Sequence, residues 1–181
     1  MAVGVPDEQL ESLAKQAEPL KERLAGGRWA PPANQHVTLK FLGWTAVDVI
    51  EDLKGAVQRA CSPLAPAEVR IDGLGSFPSR RRVRVLWAGF EDPERILVRL
   101  NEVIERAVEP LGFEREQREF SPHLTLARFK TPQRLQEALP ALDRATLEGF
   151  VVSEVRLYRS HLHPKGAQYE VLETFELRGD E

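Results

Sequence analysis

A chain of 181 residues, 42% apolar and with a net charge of −3, falls among soluble globular proteins with room for one substantial core, and not among those that coat nucleic acid by bulk positive charge. Its apolar runs fall far short of the roughly 18 residues of a membrane-spanning helix, and the N-terminus lacks a charged-then-apolar signal. The single cysteine, Cys61, forbids an internal disulfide and a cysteine-type zinc site, which fits a reducing cytoplasm.

Leu10, Leu13, Ala17, Leu20 and Leu24 recur at helical spacing after Pro6 and Asp7, which predicts a helix from about Asp7 to Ala25. "GGRWAPPANQ" breaks it, and a strand "HVTLKFLG" follows from His36. Val49, Ile50, Leu53 and Val57 mark a second helix ending near "CSPLAP". Two strands, "EVRIDGL" and "VRVLWAGF", come next, separated by a turn with Pro78 and Arg80, Arg81 and Arg82. The pattern then restarts. Ile96, Leu97, Leu100, Val103, Ile104 and Ala107 form an amphipathic helix with Pro93 in its first turn, and a polar stretch leads to the strand "HLTLARFK" from His123. A short helix is expected from Pro132, then strands around "FVVSEVRLYR" and "QYEVLETFEL" joined by the loop "SHLHPKG".

Each half therefore reads helix, His-x-Thr strand, helix, strand, turn, strand, which suggests an internal duplication about a pseudo-twofold axis. The fold class expected is α+β: a bilobal arrangement of two mostly antiparallel sheets, helices on the outer faces and an active-site cleft between the lobes. No flexible linker divides the halves, so residues 1–181 are read as a single domain.

Successive side chains on a strand point to opposite faces. His36 and Thr38 thus share one face, as do His123 and Thr125, while Val37, Leu39, Leu124 and Leu126 share the other. If the two strands meet, one site holds two imidazoles and two hydroxyls. One imidazole can take a proton from a nucleophile while the other gives one to a leaving group, and the hydroxyls can donate to phosphoryl oxygens, with no metal or cofactor required. Alternation adds Lys40 to the His36 face as a source of positive charge. Arg82 in the turn, with its neighbours, is a candidate for contacts to substrate phosphates, and Arg84 in the next strand is a substrate-binding candidate that can point into the cleft. Trp29, Phe41, Trp87 and Tyr169 are the aromatics nearest the motifs, where one can stack on a base, although a core role suits most of them. His161 and His163 lack carboxylate or cysteine neighbours at ligand spacing and read as surface histidines of a loop.

Over nearly its full length the chain resembles the RNA 2′,3′-cyclic phosphodiesterases, or 2′-5′ RNA ligase-like proteins, of the two-histidine phosphoesterase superfamily. The likeness rests on "RWAPPANQHVTLKFLG", "SPHLTLARFK", "FPSRRRVRVLWAG" and "LYRSHLHPKGAQYEVL". It implies hydrolysis of a terminal 2′,3′-cyclic phosphate on RNA, tRNA fragments among the substrates, to a 2′-phosphomonoester, and the related formation of 2′-5′ linkages. By motif position it implies that His36 protonates the leaving 3′ oxygen, that His123 activates water, and that Thr38 and Thr125 hold the phosphate. It also implies that Arg128 reaches the phosphate, which needs a bulge, because strict alternation puts Arg128 on the face opposite His123. Small cyclic nucleotides and ADP-ribose cyclic phosphate are alternative substrates for the same site, and a noncatalytic RNA-binding module is an alternative use of the fold. Nothing in the residues demands more than a monomer. Only "MAVGV" precedes the first helix, so a short first strand is expected.

Overall fold

The computed structural model describes residues 1–24, 26–135, 141–143, 147–163 and 166–179. In chain order the elements are β1 (Ala2–Gly4), α1 (Asp7–Arg23), β2 (Gly27–Trp29), β3 (His36–Thr38), α2 (Ile50–Cys61), β4 (Ala67–Phe77), β5 (Val83–Glu91), α3 (Ile96–Val108), β6 (Leu124–Gln133), β7 (Phe150–Val152), β8 (Glu154–His163) and β9 (Gly166–Glu176). The first helix forms because Leu10, Leu13, Ala17 and Leu20 make one buried stripe, with Asp7 and Glu8 at the positive end of its dipole. The third begins at Ile96, later than its Pro93 suggested. Both carboxylate oxygens of Asp92 accept from the backbone N–H groups of Ile96 and Leu97, at 2.8 and 2.9 Å, and satisfy donors that the helix leaves free.

The strands run in the order β7-β4-β5-β6-β3-β1-β8-β9, with β2 joined to β6, and each of these pairings is antiparallel. The two sheets expected from the repeat are thus hydrogen-bonded into one path, and their junction is the pair Val37↔Leu124. The lobes on either side of it do not coincide with the two halves of the sequence. The hairpin of the first half, β4–β5, pairs with the motif strand of the second, β6; β8 of the second half pairs with β1 of the first. "FVVSEVRLYR" is not one strand but two, broken at Ser153: β7 pairs with β4 at one end of the path, and β8 pairs with β1 and β9 at the other. A single residue between strands so far apart in the order requires the sheet to curl.

One face of this sheet is core. Val3, Val37, Leu124, Leu126, Leu86 and Ala88 join Leu13 and Leu20 of α1, Leu53 and Val57 of α2, and Leu97, Leu100 and Ile104 of α3 in one apolar cluster. The three-residue β1 is nonetheless central and buried, between β3 and β8.

Two expected connections differ. Residues Pro132 and Gln133, expected in a short helix, still belong to β6, where Gln133 pairs with Val83; the rest of that expected helix falls largely on residues outside the described ones. "SHLHPKG" is not a loop at His161, which lies within β8 and pairs with Gln168. There the His161 Nε2 meets Glu170 Oε2 at 2.9 Å, a cross-strand contact between half-exposed groups. The His163 side chain lies outside the described residues.

Candidate active site

Strands β3 and β6 are antiparallel and touch at Val37↔Leu124, both fully buried. Continued by one residue each way, that register sets His36 across from Thr125 and Thr38 across from His123. Cross-strand partners share a face, so the four side chains form a rectangle on the sheet face opposite the core, each histidine beside the other strand's threonine. Diagonal neighbours on paired strands lie about 7–8 Å apart, which leaves space for one tetrahedral group between the imidazoles. The neighbouring strands agree: β1 sets Gly4 beside His36 and Ala2 beside Thr38, and β5 sets Trp87 beside Thr125.

The two imidazoles have different surroundings. His36 stacks on Tyr158 with ring centres 5.2 Å apart and takes the edge of Tyr169 at 4.8 Å. Its pKa is pulled down to about 4, first by burial and second by the nearby amino group of Met1, whose own pKa burial lowers to about 5. The free His36 ring is therefore neutral near pH 7. His123 is held differently: its Nδ1 lies 2.8 Å from the Ser121 carbonyl oxygen. A carbonyl only accepts, so Nδ1 carries the hydrogen and Nε2 is left for chemistry. Phe77 meets this ring edge-on at 5.2 Å and Trp87 lies at 6.2 Å.

Glycines make room for these neighbours. Gly75 is the cross-strand partner of Trp87, and any Cβ there would overlap the indole. A Cβ on Gly4 would come 3.1 Å from the guanidinium of Arg156, which lies against β1 beside His36. Arg156 Nε donates to Glu154 at 2.6 Å. A hydrogen bond to Tyr158, and then the one to Glu154, raise the arginine's already high pKa. Glu154, Arg156 and Tyr158 thus form a chain of contacts that ends on the face of His36.

Arg128 comes onto the face of the two histidines through a bulge. The pairs Trp87↔Thr125 and Leu86↔Ala127 leave one extra residue, Leu126, in β6. Leu126 and Ala127 are buried in succession, and alternation resumes with Arg128 exposed on the side of His123 and Thr125.

Lys40 does not join the site. The chain leaves β3 at Thr38, and Lys40 turns inward, 7% exposed, where its Nζ meets Glu105 Oε2 at 2.7 Å and also donates to the Glu114 carbonyl. Arg84 alternates with Leu86 and Ala88, away from Trp87, and donates to the Lys130 carbonyl at 3.2 Å. Arg82 is exposed in the turn after β4, outside the rectangle. Tyr169 is brought to His36. Tyr158, Phe77 and Arg156, which also flank the histidines, carry no signal in the sequence by themselves, because strand pairing alone puts them there. Among the described residues no three His, Cys, Asp or Glu side chains gather as a metal-binding group.

Comparison with known proteins places the whole chain in one family. A protein named RNA 2′,3′-cyclic phosphodiesterase from Methanothermobacter thermautotrophicus is 32% identical over 98% of this chain and 97% of its own. One of the same name from Thermus thermophilus is 36% identical over 99% and 89%. A crystal structure of a Thermus thermophilus protein superposes with a TM-score of 0.82 at 32% identity, covering 99% of this chain and 97% of that one. The family model of the 2′-5′ RNA ligase superfamily matches residues 6–164, and the chain belongs to that superfamily.

Proposed function

We propose that the protein hydrolyses the 2′,3′-cyclic phosphate at an RNA end, tRNA fragments included, to a 2′-phosphomonoester by acid–base catalysis between His36 and His123. The observation that carries this reading is the crossing of the two His-x-Thr strands at Val37↔Leu124, which gathers four complementary side chains on one face. The relatives' name supports the substrate. One imidazole takes a proton from water as its oxygen attacks phosphorus; the bond from phosphorus to the 3′ oxygen breaks, and the other imidazole protonates that oxygen. Thr38 and Thr125 donate to the nonbridging oxygens. Two imidazoles suffice for both proton transfers, so no metal is invoked, and since both belong to one chain a monomer is sufficient. With a 5′-hydroxyl of a second RNA end in place of water, the same displacement forms a 2′-5′ linkage.

The motif order assigns the acid to His36 and the base to His123, and the Nδ1 anchor at Ser121 suits a base that works through Nε2. A neutral free His36 must then gain its proton in the complex, where the bound phosphate anion raises its pKa. The same low pKa favours a second reading, in which His36 is the base. A substrate whose 3′ bridging oxygen is replaced by sulfur separates the two, because a thiolate leaves without a proton. It should restore turnover to His36→Ala and not to His123→Ala; the opposite pattern reverses the roles, and turnover of the ordinary oligonucleotide substrate by both variants overturns the two-histidine mechanism.

A further inference from the structure

We infer that Arg156 is a positioning residue of the reaction: anchored by Glu154, its guanidinium pins the Tyr158 hydroxyl, and the pinned Tyr158 ring sets the plane in which His36 exchanges its proton. The effect on turnover rests on the hydrolase reading above; the effect on the ring does not. His36 needs such a device. His123 is oriented by the contact of its Nδ1 with the Ser121 carbonyl, whereas among the described residues neither ring nitrogen of His36 has a hydrogen bond. Packing orients it instead. The ring lies nearly parallel to Tyr158, with 18° between the planes, and Tyr169 meets it edge-on at 85°. A stack fixes the plane of one ring only as well as its partner is itself fixed.

Strand β8 supplies that fixing. Val155 and Leu157 are buried in the core, so alternation sends Glu154, Arg156 and Tyr158 to the other face. That is the face of the histidines, because Ala2 pairs with Thr38 on one side and with Arg156 on the other. Between them β1 presents only Ala2 and Gly4 on this face. Gly4 is the cross-strand partner of His36, and a Cβ on it would stand 3.1 Å from Arg156 Nη1, so the guanidinium lies over β1, one strand from His36. Its Nε donates to Glu154 at 2.6 Å, which holds the planar fork in place and leaves other N–H groups for the Tyr158 hydroxyl oxygen. Both contacts lie within β8, so Arg156 acts on His36 through Tyr158. The charged and titratable groups around the ring are the Met1 amino group, Tyr158 with Arg156 and Glu154 on β8, Tyr169 on β9, and His123 and Arg128 across the rectangle. Burial is the larger cause of the low pKa of His36 and the Met1 amino group the smaller. Burial is the one that a loosened Tyr158 relaxes.

The test uses Tyr158→Phe, which keeps the ring and removes the hydroxyl, and Arg156→Met, which keeps most of the stem and removes the fork. On a dinucleotide 2′,3′-cyclic phosphate each should lower kcat by about tenfold and leave KM within about twofold, the mark of a misaligned proton carrier. The double variant should lose no more than the worse single one, since both changes break the same contact, and Arg156→Lys should recover part of the loss. Followed by NMR, the His36 titration should rise by about one unit in both single variants. Tyr158→Phe is the deciding one, because it leaves the charge of the guanidinium in place. A shift in Arg156→Met alone would mean that the charge acts directly and would overturn the positioning role. So would a shift in neither, multiplied losses in the double variant, or a raised KM with kcat intact. Absence of turnover by the wild type would instead overturn the hydrolase reading, and the two titrations would still decide the positioning.

Discussion

The two His-x-Thr strands are nearly the same in sequence and unlike in their surroundings. His36 sits between two tyrosines, dry enough for its pKa to fall to about 4. His123 is pinned by the Ser121 carbonyl, beside Phe77 and Trp87. The difference comes from the hairpins: β4–β5 supplies the wall of His123 and β8–β9 that of His36, each from the other half of the sequence. A duplicated motif therefore gives two copies of one functional group, and the surroundings of each copy make them differ: His36 is desolvated, while the Ser121 carbonyl fixes the tautomer of His123. Such a division suits a reaction that needs one acid and one base.

Several measurements would break or sharpen this contrast. The largest effect is expected from His36→Ala and His123→Ala, each lowering kcat on a cyclic-phosphate oligonucleotide by about 10²- to 10⁴-fold with an unchanged circular dichroism spectrum. If only one variant lost activity, the copies would not share the reaction. Next is Lys40→Met. It leaves Glu105 buried without its partner and should cost about 3–5 kcal/mol of stability in a urea titration, while the folded fraction keeps near-normal turnover. A loss of turnover without a loss of stability would return Lys40 to the catalytic face. Thr38→Ala and Thr125→Ala should each reduce kcat/KM by about 10- to 100-fold, the range of a hydrogen bond to a charged group.

Smaller effects concern the His36 pocket alone. Followed by NMR, the ring should stay neutral until the pH nears 4, and Tyr158→Ala, which admits water, should move its titration up toward 6.5. A His36 that already titrates near 6.5 in the wild type would erase the asymmetry. Stability supplies the weakest signal. The unfolded chain binds a proton at His36 below about 6.5 and the folded one only near 4, so this group lowers stability as pH falls through that interval. His36→Gln should flatten that part of the pH–stability curve, and an unchanged curve would show that the ring is not desolvated.

Particular residues show how far the sequence could be read. The helix stripes from Leu10 to Leu20 and from Ile96 to Ile104 were plain, because burial imposes a period that composition displays. So were both motif strands, whose alternation separated His and Thr from Leu and Val. Lys40 misled, since alternation holds only while the chain stays in a strand, and β3 ends at Thr38. Ser153 gave no sign that it separates strands bound to opposite ends of the sheet path.

The sequence by itself determined that two strands would each bury an aliphatic face and present an imidazole beside a hydroxyl, because side-chain alternation is a local property of extended backbone. Only the tertiary structure decided that those strands cross at Val37 and Leu124, that a bulge turns Arg128 to the same side, and that one ring is dry while the other is anchored. Register, bulges and desolvation depend on partners far away in the chain, and such partners are selected by the packing of the whole sheet against its helices.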